Sequence, residues 1–358
     1  MDDRFPTRVV GWALPTKTCL TCCPWCLVGG AHPTLSHPKS CDSGCGENTS
    51  ATANPRRGRR GFTLVEMLVV ITIIGVLAGL ITAAGVAAIG QANRTTIRMD
   101  IGQLETALHA YEKKFGDFPP DFARIDRDSS KAIVLHHLRK VFPRYILSGS
   151  ATDQWTQFED DVNRYASAFN LTLDVNELSP AEAMVFWLGG LPDETGRLIG
   201  FSADPANPFG AGGSRLDPMF EFDETRLFDA DVTNASNWLA YKSENVEGPV
   251  PYVYFCVRRH PRNGNLQYEF TPAGGGGSSL LSWNAGSSGT CVPYCVRGRG
   301  DWNKPKSFQI ISPGMDGLFG NPRRPSDFRS SATGQLFTPG DYDNITNFSS
   351  NTLEDGLE

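Results

Sequence analysis

Between Met67 and Ile89 the chain runs for twenty-three residues without a charge, and an apolar helix of that length crosses the hydrocarbon core of a bilayer. Beyond it the hydrophobic pattern changes period without stopping. Ile97, Ile101, Leu104, Leu108, Tyr111 and Phe115 recur at spacings of four and three, an apolar stripe opposite Arg94, Arg98, Glu105 and Lys113. The two patterns predict one helix from about Thr63 to Phe115, roughly 80 Å long at 1.5 Å per residue, half in lipid and half packed on a soluble domain. Gly116, Pro119 and Pro120 end it, because glycine suits a C-cap and proline cannot continue a helix.

Downstream the pattern is weaker. Ala132 to Phe142 and Pro180 to Leu188 read as short amphipathic helices, the second with Ser179 as N-cap ahead of Pro180. Asn207 to Gly213, Ser243 to Pro251 and Gly274 to Ser279 are loops by their Gly, Pro, Asn and Ser content. Strand signals come late: Pro251 to Val257, Asn265 to Phe270 and Phe308 to Ile311 are short, rich in β-branched or aromatic residues, and bounded by turn residues. The first is apolar at nearly every position and is the expected centre of a sheet, with Pro251 at its start. The fold class predicted is α+β, a long N-terminal helix on an antiparallel sheet. Four segments follow: 1–61, a leader; 62–116, the long helix, transmembrane in 64–89; 117–250, an insertion of helices and loops; 251–358, the sheet and a C-terminal loop.

Composition, with 40% hydrophobic and 20% charged residues in a chain of 358, fits a folded domain on a membrane anchor. Charge gives the anchor a direction. Residues 1–61 hold eight Lys/Arg against four Asp/Glu, a balance of +4, so with the whole chain at −6 the remainder stands at −10. The positive-inside rule then places the N-terminus in the cytoplasm and everything after Ile89 outside it. An acidic exported domain argues against nucleic acid as a partner.

The join between the basic leader and the apolar helix carries the strongest motif. Four arginines stand within Arg56 to Arg60, followed by Gly61-Phe62-Thr63-Leu64-Val65-Glu66 and the apolar run. A carboxylate at the edge of a membrane helix costs a few kcal/mol unless a partner neutralises it, and an ammonium group is the obvious partner. A plain anchor with a stray acid is the alternative. The motif resembles the type IV pilins and the pseudopilins of type II secretion systems. That resemblance implies cleavage by a prepilin peptidase after Gly61 and methylation of the new N-terminus at Phe62. It also implies a role for Glu66 in pairing with the N-terminal ammonium during filament assembly. Leu104 to Glu112, closing on Phe115-Gly116-Asp117-Phe118-Pro119, is similar to the end of the long helix in the major pseudopilin.

A second resemblance lies near the C-terminus. Ile310 to Gly317, with Pro313-Gly314-Met315-Asp316-Gly317, and then Asp341-Tyr342-Asp343-Asn344-Ile345 follow the order of the major pseudopilin's C-terminal loop. There acidic residues after a Gly-x-Asp-Gly turn hold calcium, which implies Ca2+ at Asp316, Asp341, Asp343 and Asn344. Hard oxygen donors on a loop suit that ion. The insertion from Leu318 to Gly340 is longer than the family pattern, and Asp-Gly is also a common turn dipeptide.

Six of the nine cysteines, Cys19, Cys22, Cys23, Cys26, Cys41 and Cys45, stand in the leader. Their spacing approaches that of a four-thiolate Zn2+ site, but little periodic apolar sequence surrounds them to build a fold around zinc. A translation start further downstream, or an unstructured leader, competes with that reading, as does lipid or redox chemistry. In every case the leader is absent from the mature protein. Cys291 and Cys295 admit a small-loop disulfide, a bridge from either to Cys256, or no bridge at all.

Enzymatic readings find little footing. His109, His136, His137 and His260 lack zinc-protease spacing, and no phosphate-cradling glycine loop or Gly-x-Ser-x-Gly elbow is present. Arg258, Arg259, Arg297, Arg299, Arg323 and Arg324 form either a contact patch or a solvated set. The expectation is a non-enzymatic, pseudopilin-like subunit, single-pass in the inner membrane with a periplasmic C-terminal domain. Its implied partners are the prepilin peptidase, other pseudopilin subunits and the inner-membrane secretion assembly platform. The alternative is an exported binding protein that uses the pilin-type helix as a processed anchor.

Overall fold

The computed structural model describes residues 61–230, 236–246, 248–262, 265–270, 281–296, 302–320 and 337–357. The leader cysteines, Arg297, Arg299, Arg323, Arg324, the Gly274 to Ser279 loop and most of the Leu318 to Gly340 insertion lie outside them.

The long helix is continuous. α1 spans Leu64–Phe115, with Glu66 in its first turn and Lys113 and Lys114 in its last. The acid at the start and the bases at the end both oppose the helix dipole. Its two halves differ as the two hydrophobic patterns require. Every residue from Gly61 to Ile89 is exposed, whereas Ile97, Ile101, Leu104, Ala107, Leu108 and Tyr111 are buried. Gly116 ends the helix at φ 79°, its N–H returning to the Glu112 carbonyl at 2.6 Å. A residue with a Cβ is strained in that conformation.

The stretch from 117 to 250 holds three further helices: α2, Asp128–Val141; α3, Ala151–Ala168; and α4, Ala183–Gly189. α3, the longest of them, escaped the sequence reading. Its signals are Ser150 and Asp153, which form a reciprocal capping box, and the buried series Trp155, Phe158, Val162 and Tyr165. Ser179 closes the turn that leads into α4, its Oγ accepting from Ala181 N at 3.2 Å, and α4 itself starts three residues beyond Pro180. The helices do not form a separate layer. Trp187 Nε1 donates to the Pro120 carbonyl at 3.0 Å, and an aromatic cluster that includes Phe158, Phe186, Trp187 and Phe209 shares one core with the buried face of α1.

Four small antiparallel sheets complete the described structure: β1 (Leu227–Asp229) with β2 (Leu239–Tyr241), β4 (Arg258–Arg262) with β5 (Asn265–Glu269), β6 (Trp283–Asn284) with β7 (Thr290–Cys291), and a three-stranded sheet of β3 (Val253–Cys256), β8 (Phe308–Ser312) and β9 (Ile345–Thr346). In the last the order is β3-β8-β9, with Val253 opposite Ile311 and Ile311 opposite Thr346. The centre is therefore Phe308–Ser312, and the Pro251 to Val257 segment, expected at the centre, supplies a flank. The apolar run of β3 has another cause. Tyr252, Tyr254 and Cys256 join the core shared with α1, while Val253 and Phe255 face a second core with Phe270, Leu281 and Tyr294. Alternate residues of a strand point to opposite faces, so a strand between two cores is apolar throughout without being central.

A buried ion pair fastens the end of α1 to the sheet. The Arg258 guanidinium donates to Asp121 Oδ1 and, at 3.3 Å, to the Ala123 carbonyl, both charged side chains being almost fully inaccessible. Asp121 also accepts from Cys256 N at 2.8 Å and Ala123 N at 3.0 Å. Near the middle of the helix, Asp100 Oδ2 accepts from Arg226 and, at 2.9 Å, from the Tyr252 hydroxyl.

Candidate functional site

Glu66 is the third residue of α1 and stands exposed in its first turn. A carboxylate there is stabilised by the positive end of the helix dipole, which gives the residue one structural reason to be where it is. Phe62, two residues before the helix begins, exposes 69% of its surface. The helix from Leu64 onward is long and apolar enough to cross a membrane, and none of its most apolar stretch is buried against the rest of the chain.

The C-terminal loop is built differently from a simple cluster of acids. No three His, Cys, Asp or Glu side chains converge among the described residues. Asp343 turns one carboxylate oxygen, Oδ2, to the N–H groups of Met315 and Asp316, at 2.7 and 3.2 Å. Its other oxygen, Oδ1, is buried without a hydrogen-bond partner. A Cβ on Gly314, which sits at φ 71°, would collide with the Asp343 carboxylate, so the tight approach depends on glycine. Asp316 is exposed, and partial burial together with the nearby charge of Asp343 holds its carboxyl above the usual carboxylate range. These two acids are adjacent.

Asp341 has other work. It is buried, accepts from Thr338 N at 2.8 Å and Thr338 Oγ1 at 2.7 Å, and accepts from the Tyr294 hydroxyl at 2.8 Å. The Tyr294 oxygen in turn lies 3.0 Å from one end of the Asn344 amide. The opposite end of that amide lies 3.1, 3.2 and 3.3 Å from the carbonyl oxygens of Leu318, Ser312 and Pro313. Hydrogen-bond counting separates two orientations, one with the amide nitrogen at Tyr294 and one with it at the carbonyls. A tyrosine hydroxyl has one proton, and an ionised carboxylate can only accept. With that proton on Asp341, Tyr294 can only accept from Asn344, which puts the amide nitrogen at the tyrosine and the amide oxygen among the three carbonyls. Turning the amide over would satisfy the carbonyls but would set Tyr294 to donate to Asn344, leaving its oxygen against Asp341 without a proton between them. In the first orientation four oxygens face one another without a proton between them, and in the second the amide donates to all three carbonyls. Asp341 thus stands two hydrogen bonds behind the Asn344 amide, through Tyr294. Tyr294 and the three carbonyls, absent from the sequence reading, have no local signal that could reveal them.

Other sequence candidates are packed or ion-paired. His109 lies against the rings of Phe118 and Phe308, with centroids 5.4 and 5.5 Å away. Arg258 and Arg259 are engaged by Asp121 and Asp117. Cys256, Cys291 and Cys295 are all buried.

With the geometry in view, comparison with known proteins is informative at the N-terminal end. Residues 56–82 match the prokaryotic N-terminal methylation motif. A type II secretion system core protein G from Pectobacterium carotovorum subsp. carotovorum is 40% identical over 76 residues, 21% of this chain and 47% of that protein. The protein of the same description from Klebsiella michiganensis is 39% identical over 64 residues, 18% of this chain and 45% of its own. The chain spans about half the length of these curated relatives. No solved structure matches. These similarities and the α+β fold support the pilin-like pseudopilin family and a pseudopilin-type role, and with a single apolar N-terminal helix they point to single-pass membrane anchoring.

Proposed function

We propose that the chain is a structural subunit of a type II secretion filament, cut by prepilin peptidase between Gly61 and Phe62 and methylated on the Phe62 amine. The observation that carries this reading is α1 itself, one unbroken helix whose first half is wholly exposed and apolar and whose second half is built into the domain core. Such a helix serves as an anchor before assembly and offers an apolar face to neighbouring subunits afterwards. The N-terminus is cytoplasmic and the domain after Ile89 periplasmic, with the inner-membrane assembly platform and other pseudopilin subunits as partners. Its work is mechanical, not catalytic. Mass spectrometry of the mature N-terminus tests processing: the chain is expected to begin at methylated Phe62, Gly61→Ala to be cut poorly and a bulkier residue at that position not at all. A mature chain beginning elsewhere refutes the assignment.

Glu66 acts in assembly through the Phe62 ammonium. Glu66→Ala should leave insertion intact, since removing a charge eases a helix into lipid. Losing a charge-assisted contact worth about 1.5–3 kcal/mol should lower inter-subunit cross-linking by about tenfold or more. Unchanged cross-linking would leave the helix dipole as the sole role of this acid.

The C-terminal loop is proposed to hold calcium. The donor chemistry fits when the Asn344 amide turns its oxygen to the carbonyls of Ser312, Pro313 and Leu318; on the same loop the buried, unpartnered oxygen of Asp343 and the adjacent Asp316 would bring charge. Calcium accepts such irregular, carbonyl-rich shells, whereas magnesium demands near-octahedral geometry and gives up water reluctantly. The ion's contribution is to fasten the loop after β8 to the segment that leads into β9.

A further inference from the structure

A cavity of about 390 Å³ opens where the end of α1 meets α2 and the junction of β3 with β4, and nothing in the assembly reading uses it. Its size lies in the range of small-molecule pockets. One part of its wall is apolar, with Phe118, Ile133 and Val257, and its rim is cationic. Arg259 and Lys140 both pair with the single carboxylate of Asp117, leaving one positive charge in excess. Lys306, also on the wall, is exposed and has no ion-pair partner among the described residues; its Nζ lies 5.9 Å from the Tyr268 ring centroid. The opposing acid on the wall, Glu112, is drawn towards His109 Nδ1 at 3.4 Å, and Arg258 in the floor is neutralised by Asp121.

A buried histidine supplies direction. His137 lines the cavity with only 4% of its surface exposed, and its Nε2 is taken by the Tyr111 hydroxyl at 2.9 Å. Its Nδ1 has no hydrogen-bond partner among the described residues. Burial lowers the His137 pKa to about 4, so at neutral pH the ring is uncharged. When Tyr111 donates to Nε2, the ring proton sits on Nδ1, a neutral donor for an oxygen inside the cavity.

We propose that this cavity binds a small organic anion with a flat apolar body and a phosphate or carboxylate head, the body against Phe118, Ile133 and Val257 and the head between Lys306, Arg259 and His137 Nδ1. The site goes beyond filament assembly and does not depend on it. An anion alone lacks the burial that the apolar wall offers, and a neutral body alone leaves the cationic rim unmatched.

The probe is 1-naphthyl phosphate, titrated calorimetrically into the full chain in lipid nanodiscs with empty discs subtracted. Saturable binding is expected, with 1-naphthol and inorganic phosphate each at least about tenfold weaker. Lys306→Glu, a surface change, should weaken the phosphate by about tenfold or more while leaving 1-naphthol unaffected, and Ile133→Trp, which fills the cavity, should abolish binding of both. Absence of saturable naphthyl phosphate binding, or binding that survives Ile133→Trp in a chain with an unchanged melting temperature, overturns the proposal. Equal uptake by empty discs does so as well, because the ligand is then held by lipid.

Discussion

Arg258→Ala should destabilise the folded chain by about 3–5 kcal/mol, because it leaves the Asp121 carboxylate in the interior without its countercharge. Asp121 would keep the N–H groups of Cys256 and Ala123, but these are dipoles and do not balance a full charge. At about 2–4 °C per kcal/mol for a domain of this size, the melting temperature should fall by on the order of 10 °C. Arg258→Lys keeps the charge on a shorter side chain that is less able to bring one nitrogen to both Asp121 and the Ala123 carbonyl, as Arg258 Nη2 does, and should fall between the two. Thermal unfolding of the purified chain measures all three. A loss below about 1 kcal/mol for Arg258→Ala would show that Asp121 is protonated in the fold and needs no partner.

The second large effect concerns the proposed calcium. An ion that binds only the folded chain stabilises it by mass action, by about 2.7 kcal/mol when present at a hundredfold excess over its dissociation constant. Chelation should lower the melting temperature by several degrees, calcium should restore it, and magnesium should do so less well. Asp343→Ala should remove the response, since it deletes the one charged oxygen that has no other partner. Tyr294→Phe makes a sharper test. Without the hydroxyl nothing holds the Asn344 amide nitrogen away from the carbonyls; the amide can turn over, donate to Leu318, Ser312 and Pro313, and remove the need for an ion. That variant should lose most of its calcium response while remaining folded. A wild-type chain whose melting is indifferent to chelator and calcium would show that the amide already sits that way round.

Much of the molecule was legible along the chain, and the legible parts share a cause. α1 was read to within a residue at both ends, because a membrane-length apolar run, a stripe at spacings of four and three, and a Gly-Pro stop are local statements. Of the strands after residue 250, β3, β5 and β8 were legible for the same reason, as β-branched and aromatic runs between turns, whereas β4 and the two-residue strands β6, β7 and β9 carry no such run. α3 was missed although its capping box and its buried series are also local; its low overall hydrophobicity hides the amphipathic pattern. The centre of the sheet was misplaced because an all-apolar strand looks alike whether it has a neighbour on each side or a core on each face.

The sequence by itself determined the apolar anchor helix, the methylation motif at its N-terminal end, the charge asymmetry across it and the α+β class, since each follows from residues close together in the chain. Tertiary structure decided the rest. Asp121 and Arg258 stand 137 residues apart, Tyr294 and Asp341 47, and Tyr294 and Asn344 50. No periodicity links such positions: a buried charge finds its partner, and a tyrosine hydroxyl its carboxylate and amide, only after the hydrophobic cores have brought distant segments together.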